Sequence, residues 1–371
     1  MVTLPQSNNL PVEYLAASFD NVTNSYKFYW FLAILEHIRE NQSRTIPINN
    51  LLARMLAGVW YPTNYFRLSF GKQDRLGQIA VHVGEYTGLS MDSTRQEVIR
   101  AIQGYLASNS SLARDIKSLG QYVPFRFLRP FFAQQLRGLD DWKVNESIEG
   151  LAAQTLAGPQ SPCIYHFVYQ PAVAIEIQAD WFEYLNRHLT ILTGFCLWNL
   201  VNYVQKNNPN APNIPNKLFE PEQRDLNQAR SFWRLVFDML GGLTCIYSGQ
   251  VMQKGGFSLD HFLPWRFVAH DLLWNIIPTP RNVNSAKSDN LPDLNRYFDP
   301  FALLQYNAIQ TVATSIKAHL LEDHILLLGV SSIAELQGLS FQNFRERLHD
   351  IISPQFQIAT NMGFSGHWSY A

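Results

Sequence analysis

Between Gln205 and Asn216 the sequence reads QKNNPNAPNIPN. No other stretch restricts the fold so strongly. Pro209, Pro212 and Pro215 each lack a backbone N–H, fix φ and disfavour helix at the preceding residue, so no helix passes through. The intervening Asn residues favour turns. The run is therefore the best boundary in the chain. With 371 residues, of which 47% are hydrophobic, there is apolar material for two or three domains or for one large one.

Helical spacing dominates on both sides of this boundary. Residues 21–40 place Phe28, Phe31, Leu32, Leu35 and Ile38 at helical intervals, with Asn21, Thr23 and Asn24 as candidate caps. Ile48, Leu51, Leu52, Met55, Leu56 and Val59 predict a second helix. The pair reads as a helical hairpin or, less favoured, as a helix-turn-helix. Residues 92–119 are again helical. In YVPFRFLRPFF, Arg126 and Arg129 alternate with aromatic and aliphatic residues. Such arginines either extend from an apolar layer into water or grip a nucleic-acid backbone. The first reading is favoured, but Arg126 and Arg129 remain candidate substrate contacts. GPQSP at 158–162 is a break. CIYHFVY and AVAIEIQ, around Pro171, predict a strand pair, and a long helix follows over about 180–204. Residues 222–240 predict a helix with Leu226, Ala229, Trp233, Val236 and Phe237 on one face, ended by Gly241 and Gly242. Two or three further helices complete the chain.

Charge and cysteine usage exclude several classes. The net charge of −1 gives no global basic signature, although a local patch is enough to bind nucleic acid. Cys163, Cys196 and Cys245 are scattered, with no Cys-x-x-Cys pair, so a disulfide framework and a cysteine zinc site are both unsupported. Three reduced thiols, no signal-peptide pattern in MVTLPQSNNL and no apolar run of spanning length predict a cytoplasmic protein with no membrane contact.

The chemistry concentrates in SLDHFLPWRFVAHDLLWNIIPTPRNVNSAKSDNLP, residues 258–292. WNIIPT predicts a strand from Trp274 to Thr279, TCIYSG upstream a strand and turn, and NVNSAKSDN the start of a helix. Asp260, His261, Asn275 and Asn284 then fall at strand ends and on that helix. Phosphodiester hydrolysis needs an activated water and a neutralised phosphate, which a neutral His and a hard cation on oxygen ligands can supply. Asp260 and Asn284 offer a carboxylate and an amide oxygen, and the ordinary pKa range of His suits His261 to proton transfer. An Asp-His pair alone carries no weight. Asp323-His324 is a second one, and Gly338 and Arg347 stand at the matching spacing behind it, where neither can serve. His166 reads as a packed core histidine, and His188, His319 and His349 as partly exposed helical ones. His270 and Asp271 fall in the loop between the two motif strands, near enough to matter, but a role in substrate contact is not favoured for them.

The pattern DH, then Pro, then WN, then N-x-x-K-S-D-N-x-P resembles the HNH motif of ββα-metal endonucleases, in particular the HNH domain of RNA-guided CRISPR nucleases. The resemblance implies an α+β, predominantly helical protein with a small ββα-metal unit embedded among helices. It implies His261 and Asn275 as catalytic residues, the first activating water and the second holding the first strand and the His loop. Asp260 and Asn284 would bind Mg²⁺ or Mn²⁺, and Lys287 is a candidate phosphate contact. Asn284 stands where the family name has His, a common variant. Cys245 is followed three residues on by Ser248, not a second Cys, so no structural zinc is expected. Three regions follow: residues 1–160, mostly helical and a candidate DNA- or partner-binding region; 161–215, the strand pair, long helix and linker; and 216–371, the nuclease domain with flanking helices. SYKFYWFLAIL and PQFQIATNMGF resemble bacterial HNH proteins, which implies cleavage of foreign DNA in defence. The alternative is a subunit of a multi-protein defence complex, silent until a partner triggers it. A nonspecific toxin nuclease fits poorly, since those are small and basic. Lys254, Arg266, Arg281, Lys287 and Arg296 balance Asp260, Asp271, Asp289, Asp293 and Asp299, so phosphate affinity must come from the metal or from elsewhere.

Overall fold

In the computed structural model, described over residues 3–20, 22–108, 110–157, 163–170, 173–221 and 224–371, helices predominate and the sheets have only two or three strands. The expected helical α+β class is what the chain adopts. It divides into two units, one of residues 1–209 with 214–220 and the other of 210–213 with 221–371. The division thus runs through the Pro/Asn-rich run and just beyond it. Residues 158–162 and Pro171, read above as a break and a strand divider, lie outside the described residues, as do Asn21 and Glu222.

Unit 1 is built around the helix Tyr26–Asn41. Phe28, Tyr29, Trp30 and Phe31 are all buried in succession, so the first half of this helix is covered on several sides rather than along one stripe. Its N-cap is Ser25, not Thr23 or Asn24, and the Ser25 N–H donates to Asp74 Oδ2 at 2.6 Å. The next helix, Ile48–Trp60, buries the predicted positions Leu51, Leu52, Met55, Leu56 and Val59. A helix-turn-helix is ruled out in its usual form. The link between the two helices contains strand β1 (Thr45–Pro47), and the second helix has too few exposed positions to enter a groove. The predicted strand pair is present as β2 (Tyr165–Val168) and β3 (Ala174–Ile177), antiparallel, with His166 opposite Glu176. β1 adds to the other edge of β3, giving the order β1-β3-β2. The predicted helix over 92–119 is two helices, Arg95–Leu106 and Ser111–Leu119. Thr94 and Glu97 close a capping box at the first and Ser110 caps the second. The long helix over 180–204 is likewise two, Ala179–Arg187 and Leu189–Asn207, parted at His188.

Unit 2 opens with the helix Asn227–Leu240, which buries Ala229, Phe232, Trp233, Val236 and Phe237 as its spacing requires. Gly241 ends it at φ 76°, where a side chain would be strained. Two short ribbons follow: β4 (Leu243–Thr244) with β5 (Val251–Met252), and β6 (Ser258–His261) with β7 (Ile276–Thr279). In the second ribbon Asp260 faces Ile277 and His261 faces Ile276 in register. All four β7 residues are buried, so this strand is covered on both faces and shows no alternation. The helices Arg281–Lys287, Leu294–Ala313 and Phe341–Asn361 complete the unit. Phe262 stacks on Phe301 with ring centroids 4.0 Å apart, fixing the segment after His261 to the helix Leu294–Ala313. β7 begins two residues later than predicted, because Leu273–Asn275 forms a 3-10 turn. There Gln305 Nε2 donates to the carbonyls of Leu273, Trp274 and Ile276 at 3.2, 3.1 and 3.1 Å, so one side chain satisfies a backbone that a strand ladder would otherwise serve. Among the described residues no helix is long and apolar enough to cross a membrane.

Candidate active site

Strand β6 and the helix Arg281–Lys287 bring three of the sequence-selected residues to one pocket of about 240 Å³. Asp260 and His261 lie at the end of β6, and Asn284 on the helix faces them across the pocket. Ser285, Ser288 and Asp289 add further polar wall, and Arg224 lies with its guanidinium carbon 5.1 Å from the centre of the Trp265 ring. Ser288 holds a positive φ of 47°, a backbone state that non-glycine residues adopt rarely and often at functional positions.

Each side chain is held by partners that the fold supplies. Asp260 is nearly buried, with 3% exposure. Its Oδ1 accepts from Lys287 Nζ at 3.1 Å and its Oδ2 from the Tyr247 hydroxyl at 3.0 Å. Burial, then the negative charge of Asp260, pushes the Tyr247 pKa well up, so that hydroxyl stays a donor. His261 places Nε2 2.8 Å from Asp271 Oδ1. Asn284 donates through Nδ2 to Ser258 Oγ and to the Leu259 carbonyl, both at 3.0 Å. Both amide hydrogens are spent there, so the group it can offer the pocket is its oxygen.

Asn275 does not reach the pocket. It is fully buried, and its amide clasps the backbone of Leu263, accepting from the N–H at 2.8 Å and donating to the carbonyl at 2.9 Å. Its own carbonyl accepts from the Phe262 N–H at 2.8 Å. These bonds fix the loop that leaves His261, so Asn275 is a positioning residue. Lys287 differs most from its expected use as a phosphate contact. It has no exposed surface, and its ammonium is shared between Asp260 and the His261 carbonyl, 2.6 Å away. A lysine this deep is tolerated because both partners offset its desolvation.

Arg126 and Arg129 belong to unit 1. Arg126 is tied by its guanidinium to Asn145 and Asp141. Arg129 is exposed at the start of the 3-10 turn Arg129–Phe132. Burial, and then repulsion from Arg129 and Arg126, lowers the Lys27 pKa to about 8, so the three cations form one cluster. The segment is a short helix, Val123–Phe127, followed by that turn, rather than a strand.

Sequence reasoning passed over four contributors. Asp271 was noted only as a loop neighbour, because an acid ten residues from a His has no fixed direction until the loop is known. Tyr247, in the turn after β4, and the ion pair of Arg266 with Asp289 at 2.8 Å were not singled out, and neither was Gln305. Among the described residues no group of three or more His, Cys, Asp or Glu side chains is placed to hold a metal ion. A hard cation that retains waters needs no such cluster. One carboxylate with spare lone pairs and one free amide oxygen are donors of the right chemistry, although Lys287 already shares the carboxylate.

The two-stranded ribbon and the helix after it thus bring a histidine and oxygen donors to one polar pocket. Residues 245–293 match a family model described as HNH endonuclease, which supports nuclease activity in general terms. No curated protein and no solved structure matches the chain.

Proposed function

We propose that the chain is a metal-dependent endonuclease that hydrolyses DNA phosphodiester bonds, with His261 as the general base. The observation that carries this reading is the convergence of His261, Asp260 and Asn284 on one pocket within the segment that matches HNH endonucleases. Asp260 and Asn284 are the residues to hold Mg²⁺ or Mn²⁺, which when bound would neutralise charge on the scissile phosphate and its leaving oxygen. Asp271 accepts from His261 Nε2–H and so favours the tautomer whose Nδ1 can take a proton from water. Asn275 keeps the His261 loop in place. Lys287 holds Asp260 and the His261 backbone in fixed relation. Arg126, Arg129 and Lys27 are candidates for backbone contacts to DNA. Reversing the charge of Arg126 and Arg129 together is expected to weaken DNA binding and flatten its salt dependence; an unchanged slope removes them. The likeness of the flanking segments to bacterial HNH proteins supports a role against foreign DNA.

A second reading is a subunit silent until a partner triggers it. It is favoured by one observation: Asp260 already carries the Lys287 ammonium, and Asp260 and His261 are only 3% and 4% exposed. The test is supercoiled plasmid with purified protein and Mg²⁺, beside His261→Ala and an EDTA control. Metal-dependent nicking that the variant lacks supports the nuclease and its base. Cutting by the variant at the wild-type rate removes His261 as base. No cutting by either protein moves the silent-subunit reading to first place.

A further inference from the structure

A phosphate is an anion, and the pocket around His261 keeps little positive charge to meet it. Lys287 is buried and spent on Asp260 and the His261 carbonyl. Arg266 Nη1 lies 2.8 Å from Asp289 Oδ2. Among the described residues that line the pocket, the one lysine or arginine is Arg224. It comes from the segment before the helix Asn227–Leu240, upstream of the stretch 245–293 that matches the family model. Arg224 is exposed and has no carboxylate partner among the described residues.

The Arg224 guanidinium carbon lies over the Trp265 ring, 5.1 Å from its centre. Trp265 also lines the pocket, directly after Pro264. A ring face attracts a guanidinium and restricts its swing, yet takes up none of its N–H donors as a carboxylate would. A planar fork held this way can meet two oxygens of one phosphate at once. The two carboxylates on the wall, Asp260 and Asp289, already have cations of their own in Lys287 and Arg266, so neither competes for Arg224.

We propose that Arg224, set on Trp265, is the pocket's contact to a phosphate of the DNA backbone, the use that the sequence suggested for Lys287. The assignment rests on the nuclease reading of the pocket, and its test separates the two. Binding of a short labelled DNA duplex to the His261→Ala chain is measured over a salt series, with and without a change at Arg224. Arg224→Ala is expected to weaken binding and to reduce the slope of log affinity against log salt by about 0.9, the share of one phosphate. Arg224→Lys, which keeps the charge, is expected to keep the slope. Arg296 is the control: it is exposed and lies over the Tyr297 ring at 5.2 Å, but is not on the pocket wall. Arg296→Ala is expected to change neither affinity nor slope. With His261 intact, Arg224→Ala is expected to cut plasmid roughly tenfold or more slowly at saturating DNA, with Arg224→Lys in between. Because Arg224 is exposed, its melting temperature should change little. A slope unchanged in Arg224→Ala, an equal loss in Arg296→Ala, or an unchanged cleavage rate overturns the assignment and leaves the nuclease reading in place. Loss of slope in a chain that never cuts plasmid keeps the contact and removes the active-nuclease reading. Absence of any DNA binding removes both.

Discussion

Asp260-His261 and Asp323-His324 are the same dipeptide in the same unit, and they are put to opposite uses. The first ends strand β6 on the wall of a polar pocket, its imidazole bonded to Asp271 through Nε2. The second opens the helix Glu322–Leu328, where His324 is 1% exposed and stacks on Phe232. Its Nε2 lies 3.1 Å from Gln305 Oε1, and its Nδ1 has no partner among the described residues. Burial lowers the His324 pKa to about 3, which keeps it neutral. Yet the second pair serves the first. Gln305, held by His324, donates to the carbonyls of Leu273, Trp274 and Ile276 on either side of Asn275, and Asp323 Oδ2 accepts from the Leu273 N–H at 2.9 Å. One pair meets the pocket, and the other braces the backbone that positions it.

The contrast is broken or sharpened first by activity. His261→Ala is expected to lower the cleavage rate by roughly two to four orders of magnitude, the usual contribution of a general base, with little change in melting. His324→Ala is expected to do the reverse, costing about 2–4 kcal/mol of stability while rates measured well below the melting temperature fall far less. Parallel losses in both variants would erase the distinction. Asp260 sharpens it next. Asp260→Asn leaves the buried Lys287 ammonium without its counter-charge and is expected to cost about 3–5 kcal/mol. Adding Lys287→Met is expected to restore most of that stability in chemical denaturation, but none of the cleavage. Recovery of both would remove Asp260 from the metal site.

What was legible in the sequence follows the same line between pattern and environment. The helices Ile48–Trp60 and Asn227–Leu240 were readable because each repeats a periodic signal over many residues, and the pair β2–β3 because two short β-branched and aromatic runs flank a break. The HNH pattern was readable because four polar residues at fixed spacing survive any rotation of the chain. Strand β7 was anticipated, but its partner β6 was not, since the strand read upstream at TCIYSG is β4, which pairs with β5. The turn at Leu273–Asn275 was hidden too, because the side chain that organises it is Gln305, far along the sequence. The uses of Asp271 and Lys287 were hidden for a similar reason. Their spacing is compatible with solvent, and only the packed unit turns one toward His261 and buries the other beneath Asp260.

Acid titration probes His324 directly. Its folded pKa of about 3 lies below the unfolded value of 6.5, so between these the unfolded chain binds the extra proton. The associated stability is fully present above pH 6.5 and declines as pH falls toward 3, by up to about 1.4 kcal/mol per unit. Comparing urea midpoints across that range, His324→Gln is expected to show a shallower acid slope than the wild type. Equal slopes would mean that His324 is not held neutral.

The smallest expected effect is the most discriminating, because it alters the second pair by one charge and almost no volume. Asp323→Asn keeps an oxygen that can accept from the Leu273 N–H but removes the charge that strengthens that bond. The expected cost is about 0.5–1.5 kcal/mol, and cleavage should stay within about twofold, since no group touching the reacting atoms changes. Asp260→Asn, the same exchange in the first pair, is expected to abolish cleavage in the same assay. If Asp323→Asn abolished cleavage with its melting temperature unchanged, the brace would have to act on the reacting geometry itself. The two pairs would then be one connected site, with Leu273 as the joint between them.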